Sequence, residues 1–168
     1  MKNSAILAAT LVSLTLACGD DDNDPTEPGT QFSATLSGAE EVPAVETGAM
    51  GDASFTISGT QIVYTVNTTG LLNPVFAHIH VAPAGENGQV RLNLCGTGDP
   101  VPACGTGEGV LVSGTNGTTV GITFDELVTA MRAGETYVNV HTDNGTPPPN
   151  TGAGDMVSGE IRGQIVPE

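Results

Sequence analysis

The stretch GDASFTISGTQIVYTVNTTG, residues 51–70, sets the terms for the rest of the chain. Its two arms alternate apolar and polar residues, and Ser58-Gly59-Thr60 sits between them. Alternation at period two about a Gly-containing break predicts a β-hairpin. The same grammar recurs in FSATLSG (32–38), PVFAHIHVA (74–82), QVRLNL (89–94), GVLVSGT (109–115), TYVNVHT (136–142) and SGEIRGQIVP (158–167). The 23 glycines and 11 prolines cut the β-branched runs short, which favours many short strands with tight turns over helices. One segment breaks the pattern. TFDELVTAMRAG, residues 123–134, places Phe124, Leu127, Val128 and Met131 at helical spacing. Thr123 and Glu126 form a capping box, and Gly134 supplies a stop. The expectation is an all-β domain: an antiparallel Greek-key sandwich or barrel of about eight strands, with one short helix at about 123–133.

The first 17 residues read as a signal peptide. MKNSAILAATLVSLTLAC carries one positive charge, Lys2, before an apolar run from Ala5 to Ala17 that is too short to span a bilayer. LTLAC followed by Gly19 resembles a bacterial lipobox, in which the cysteine is lipidated after cleavage; the departure is Thr15, where the motif usually has Leu. The resemblance implies lipidation of Cys18 and a membrane-tethered product on the periplasmic or cell-surface side of the envelope. Ordinary signal cleavage near Ala17 is the alternative. Residues 18–30, including GDDDNDPTEPGTQ up to Thr30, are acidic, contain Pro and Gly, and lack apolar periodicity, so they read as a flexible tether. The acidic run does not match the spacing of an EF-hand loop. Residues 31–168 are left as the β domain.

With Cys18 assigned to lipid, Cys95 and Cys104 remain, bracketing GTGDPVPA. An exported, oxidising setting and an even count predict a disulfide. Two free thiols are the alternative, and the pair lacks the CxxC spacing of a redox or zinc site. A loop this short stabilises the fold by roughly 2–3 kcal/mol in the loop-closure model.

Charge excludes one large class of function. After residue 17 there are three basic residues, Arg91, Arg132 and Arg162, against 19 acids. Such a surface repels nucleic-acid phosphates and anionic lipid headgroups. No GxSxG elbow is present, so serine hydrolysis has no support. Glu40 and Glu41 alternate faces if extended and make no carboxylate dyad; GAEEVP reads as an irregular loop between strands.

The chain has three histidines, and two of them lie one residue apart in FAHIHVAPAG. Strand parity puts Phe76, His78 and His80 on one face and Ala77, Ile79 and Val81 on the other. By the same parity, Tyr137, Asn139 and His141 oppose Val138 and Val140, while Glu160, Arg162 and Gln164 oppose Ile161 and Ile165. If these three strands are neighbours, His78, His80, His141 and Arg162 share a sheet face. Imidazole suits copper and zinc, and Cu(II) leads the divalent affinity order. Ligands about 2 Å from one ion require nitrogens within roughly 3–4 Å of each other.

FSATLSGAEEVPAVETGAMGDASFTI, VFAHIHVAPAGENGQV, MRAGETYVNVHT and terminal GEIRGQI occur in an order that resembles the CHRD domain, a family named after the animal protein chordin. The resemblance runs from about Phe32 to Ile165. It implies an exported module, often a lipoprotein in bacteria, with no defined biochemical role. A second resemblance is to strands of copper/zinc superoxide dismutases. TTGLLNPVFAHIHVAPAGENG is similar to the segment carrying that family's HxH copper ligands, YVNVHTDNG to the strand bringing its distant copper histidine, and GEIRGQI to its C-terminal strand. This implies His78, His80 and His141 as copper ligands and Arg162 as an anion-guiding residue. The bridging and zinc histidines of that family have no counterpart, so the site implied is copper-only.

Two readings follow. The first is an exported, membrane-tethered binding or structural module, monomeric by default, whose partner is an extracellular protein or glycan; its histidines are polar residues of a sheet face, or a three-histidine metal site. The second is a copper-binding protein related to copper-only superoxide dismutase-like domains. Copper is the favoured cofactor and zinc the less favoured one. Catalysis is not expected; if present, it is that of a copper-dependent oxidoreductase.

Overall fold

The computed structural model describes residues 30–98 and 100–168. The expected signal peptide, the tether and the lipidation site at Cys18 lie outside the described residues. Strands β1 (Gln31–Ser37), β2 (Met50–Ser58), β3 (Gln61–Thr69), β4 (Pro74–Val81), β5 (Gln89–Cys95) and β6 (Gly109–Asn116) precede helix α1 (Phe124–Arg132). Strands β7 (Thr136–Thr142), β8 (Ile161–Gln164) and β9 (Val166–Pro167) follow it.

All pairings are antiparallel, and the hydrogen-bonded order is β5-β4-β7-β8-β1-β2-β3-β6, with β9 on β1. The two ends of this order meet. Leu92 bridges Thr119, Asn116 Nδ2 donates to the Asn93 carbonyl at 2.8 Å, and the Tyr64 hydroxyl reaches from β3 to the Leu94 carbonyl at 3.0 Å. The sheet is therefore a nearly closed barrel. The connections β3–β4 and β6–β7 each pass over two strands, which is Greek-key connectivity. Closure leaves little free edge for another chain to pair with.

The barrel interior follows the alternation. Phe32, Leu36, Phe55, Ile62, Val66, Ile79, Leu92, Val138 and Ile161 are all buried in one cluster. The hairpin β2–β3 turns at Gly59, whose φ of +58° suits glycine. Helix α1 carries both arms of the expected capping box: Glu126 N–H donates to Thr123 Oγ1, and Glu126 Oε2 accepts from the Thr123 N–H. Its apolar stripe, Leu127, Val128 and Met131, is buried. Cys95 and Cys104 form the expected disulfide.

One segment departs from the sequence reading. Residues 158–167 do not form a single strand. Gly159 has φ +126° and Glu160 precedes β8 with its N–H bonded to the Val140 carbonyl; pairing then breaks at Ile165, whose N–H donates to Thr136. The turn buries Glu160 completely beneath the covering loops, where its carboxylate accepts from Thr47 Oγ1 at 2.7 Å, Thr142 Oγ1 at 2.6 Å and Gly154 N–H at 2.7 Å. This one carboxylate ties the loop after β1 and the loop after β7 onto the outside of the barrel. That cover explains why every residue of β7 is buried, on both faces.

Candidate metal centre

Strands β4, β7 and β8 are consecutive in the sheet. Register pairs Phe76 with His141, His78 with Asn139 and His80 with Tyr137, then Asn139 with Arg162 and Tyr137 with Gln164. The strand neighbours that the parity argument needs are thus present. His78, His80 and His141 meet on the outer face of the barrel wall, each offering one ring nitrogen, and these nitrogens all lie within 4.8 Å of one another.

Backbone carbonyls set the ring orientations. His141 Nδ1 lies 3.0 Å from the Val157 carbonyl, and His80 Nδ1 lies 3.0 Å from the Gly88 carbonyl. A carbonyl only accepts, so both Nδ1 atoms carry hydrogen and both Nε2 atoms present lone pairs. His80 Nε2 is buried and has no hydrogen-bond partner among the described residues. His78 Nδ1 stands 3.2 Å from His141 Nε2. Gly88 can approach because it lacks a side chain: a Cβ there would come within 2.0 Å of the Val81 carbonyl oxygen. The Tyr137 hydroxyl holds the same turn by accepting from the Gly88 N–H at 3.0 Å.

Aromatic packing fixes the rings further. Phe76 stacks on His78 at 5.7 Å and Tyr137 on His80 at 4.8 Å. The Arg162 guanidinium lies 3.5 Å from the Tyr137 ring centroid, a cation–π contact, and its Nη1 donates to Asn87 Oδ1 at 3.3 Å. Arg162 is 2 % exposed and its guanidinium lies on the ring of Tyr137, which also stacks on His80.

The electrostatics favour neutral imidazoles. Burial, and then the neighbouring His141 and His80, push His78 down to about 3. Burial pushes His141 down to about 4, against the pull of its Val157 hydrogen bond. His80 is lowered chiefly by burial, against its Gly88 hydrogen bond, with the Arg162 charge adding to the depression. Deprotonated rings with oriented lone pairs are what a transition-metal ion requires. The 3.2 Å contact suits two ligands of one ion. The outer limit of 4.8 Å exceeds by less than an ångström the ~4 Å span allowed to ligands ~2.0–2.1 Å from a metal. The three residues fit a metal ion with a small inward rotation.

Sequence reasoning did not single out Glu41. It belongs to the irregular segment after the short 3-10 turn Gly38–Glu40, as GAEEVP suggests; Glu40 is exposed while Glu41 turns inward. Burial raises its carboxyl to about 7, with Arg162 and an Asn139 hydrogen bond pulling the other way. Asn139 Nδ2 donates to Glu41 Oε2 at 3.4 Å. A cavity of about 460 Å³ runs from these groups to His80, Tyr137 and Gly88. Its signal in the sequence was Gly159: a Cβ there would meet Asn139 Oδ1 at 2.6 Å and Glu41 Oε1 at 2.7 Å.

No curated protein and no solved structure matches this chain. A family model described as the CHRD domain matches residues 32–165, nearly all of the barrel just described, and the chain therefore belongs to the CHRD-domain family.

Proposed function

We propose that this protein is an exported, envelope-tethered CHRD-domain module whose three histidines bind a transition-metal ion, copper before zinc. One observation carries the reading: two of the three imidazoles are oriented by backbone carbonyls through Nδ1, which leaves Nε2 as the acceptor; that of His141 meets His78 Nδ1 at 3.2 Å, and the buried Nε2 of His80 has no partner among the described residues. An unpaired buried nitrogen costs stability unless something occupies it. Three neutral nitrogens and no carboxylate suit Cu or Zn better than Ca or Mg. Export and tethering through Cys18 rest on the lipobox-like N-terminus, and an extracellular protein or glycan partner remains part of the reading.

The test is titration of the metal-free chain with Cu(II) and Zn(II), followed by calorimetry and electron paramagnetic resonance. One equivalent bound, with a three-nitrogen Cu(II) signature lost in His80→Ala, is the expected result. Binding no stronger than that of a triple His→Ala control would leave a module without metal. A second reading, a copper-dependent oxidoreductase, is favoured by the cavity that reaches His80 and offers a small substrate a route inward. It requires superoxide turnover by the copper-loaded chain that disappears in the same variant.

A further inference from the structure

Three planar groups from three adjacent strands form one stack. Tyr137 of β7 has the His80 ring of β4 at 4.8 Å, tilted by 13°. The Arg162 guanidinium of β8 lies 3.5 Å from the centroid of the same Tyr137 ring. One face of a phenol has no room for both, so Tyr137 is sandwiched between them, as the strand order β4-β7-β8 requires. The two contacts together bound the distance from the guanidinium to the His80 ring at about 8 Å.

The charge of Arg162 is poorly compensated. Nη1 donates to the neutral Asn87 side chain at 3.3 Å, and Nη2 is buried with no hydrogen-bond partner among the described residues. Burial holds the nearby Glu41 carboxyl protonated up to about 7, so it offsets little of that charge in mildly acid solution. The same cation already disfavours a proton on His80.

The three histidines bring no countercharge, because no carboxylate stands among them. An ion bound there keeps its full charge, partly desolvated and close to a fixed cation. Desolvation grows with the square of the ionic charge and repulsion in proportion to it, so a singly charged ion escapes much of both. Three nitrogens also fall short of the tetragonal set that Cu(II) prefers. Resting on the metal reading above, we propose that Arg162 is a specificity-determining residue whose buried charge turns the three-histidine site toward monovalent Cu(I), against Cu(II) and Zn(II).

The test measures affinity for each ion with the full chain at about pH 6, where Glu41 is neutral and a change at Arg162 alters one charge only. Cu(I) is presented anaerobically with ascorbate in competition with bathocuproine disulfonate, and Cu(II) and Zn(II) in competition with nitrilotriacetate. The parent is expected to bind Cu(I) more tightly than Cu(II). Arg162→Gln should tighten Cu(II) and Zn(II) about tenfold relative to Cu(I), and the midpoint potential of bound copper should fall with it. Arg162→Lys, which keeps a charge there, should stay closer to the parent. A merely structural role would weaken all three ions alike and leave both the ratio and the potential unmoved. If Arg162→Gln fails to fold, the affinity order in the parent decides alone. Tighter binding of Cu(II) than Cu(I) by the parent, or an unchanged ratio in Arg162→Gln, would overturn the proposal and leave the metal site standing. Binding of neither copper ion beyond a triple His→Ala control would overturn the metal reading itself, and this inference with it.

Discussion

His78 Nδ1 faces His141 Nε2 across 3.2 Å, and only His78 can supply the hydrogen between them. His141 has already committed its own N–H to the Val157 carbonyl. The metal-free protein therefore holds His78 as the Nδ1–H tautomer, whereas a metal at Nδ1 needs that hydrogen on Nε2. Long-range 15N correlation spectra should show His78 changing tautomer when Zn(II) is added, while His80 and His141 keep theirs. An Nε2–H form of His78 before metal is added would show that this geometry is wrong.

Acid should weaken the metal-free fold through the same rings. His78 at about 3 and His141 at about 4 both lie below the ordinary 6.5. The unfolded chain takes up their protons first, so stability falls as pH drops from 6.5 toward 4 and does not change on this account above 6.5. Thermal melts at pH 7.5 and 5.0 should show a smaller acid loss in a His78→Gln/His141→Gln variant than in the parent.

Glu41 acts in the opposite direction. Its carboxyl stays protonated up to about 7 in the fold but ionises near 4.5 when unfolded, so stability falls as pH rises between those values. Glu41→Gln removes that loss. It should be more stable than the parent at pH 8, on the order of 1–3 kcal/mol, and close to equal at pH 4.5. Melts in which the variant loses stability equally at both pH values would refute a protonated Glu41.

The Cys95–Cys104 bond closes a short loop, with a sequence separation of 9. It also pins the end of β5 close to the seam where β5 meets β6. Replacing both cysteines with serine should cost roughly 2–3 kcal/mol, visible as a lower guanidinium midpoint. An unchanged midpoint would mean the seam holds without it.

Strand positions were legible because alternation survives wherever one face of a strand enters the core, as at Phe32-Ala34-Leu36 and Ile62-Tyr64-Val66. The capping box marked α1 for the same local reason. The histidine face was legible as parity, since His78, His80 and His141 oppose Ile79 and Val140 whatever the fold; their meeting needed the β4–β7 register. What stayed hidden depends on loops. Glu41 and Glu160 look like surface acids in sequence, yet two long connections fold back over β7 and bury both. No periodicity records such cover, and glycines such as those at 38, 88 and 159, where a side chain would collide, are the hint of it.

Strand β1 starts at Gln31, beside the chain's last residues, and ends at Ser37, level with Arg162 and Asn139. Its seven residues span about 20 Å, and the segment that walls the cavity begins just past its far end. A chain held through residues before Thr30 therefore stands with its histidines and cavity at the distal pole. Under the proposed tethering through Cys18, the barrel would work as a mast, carrying the histidine face clear of the anchoring surface and toward whatever diffuses past.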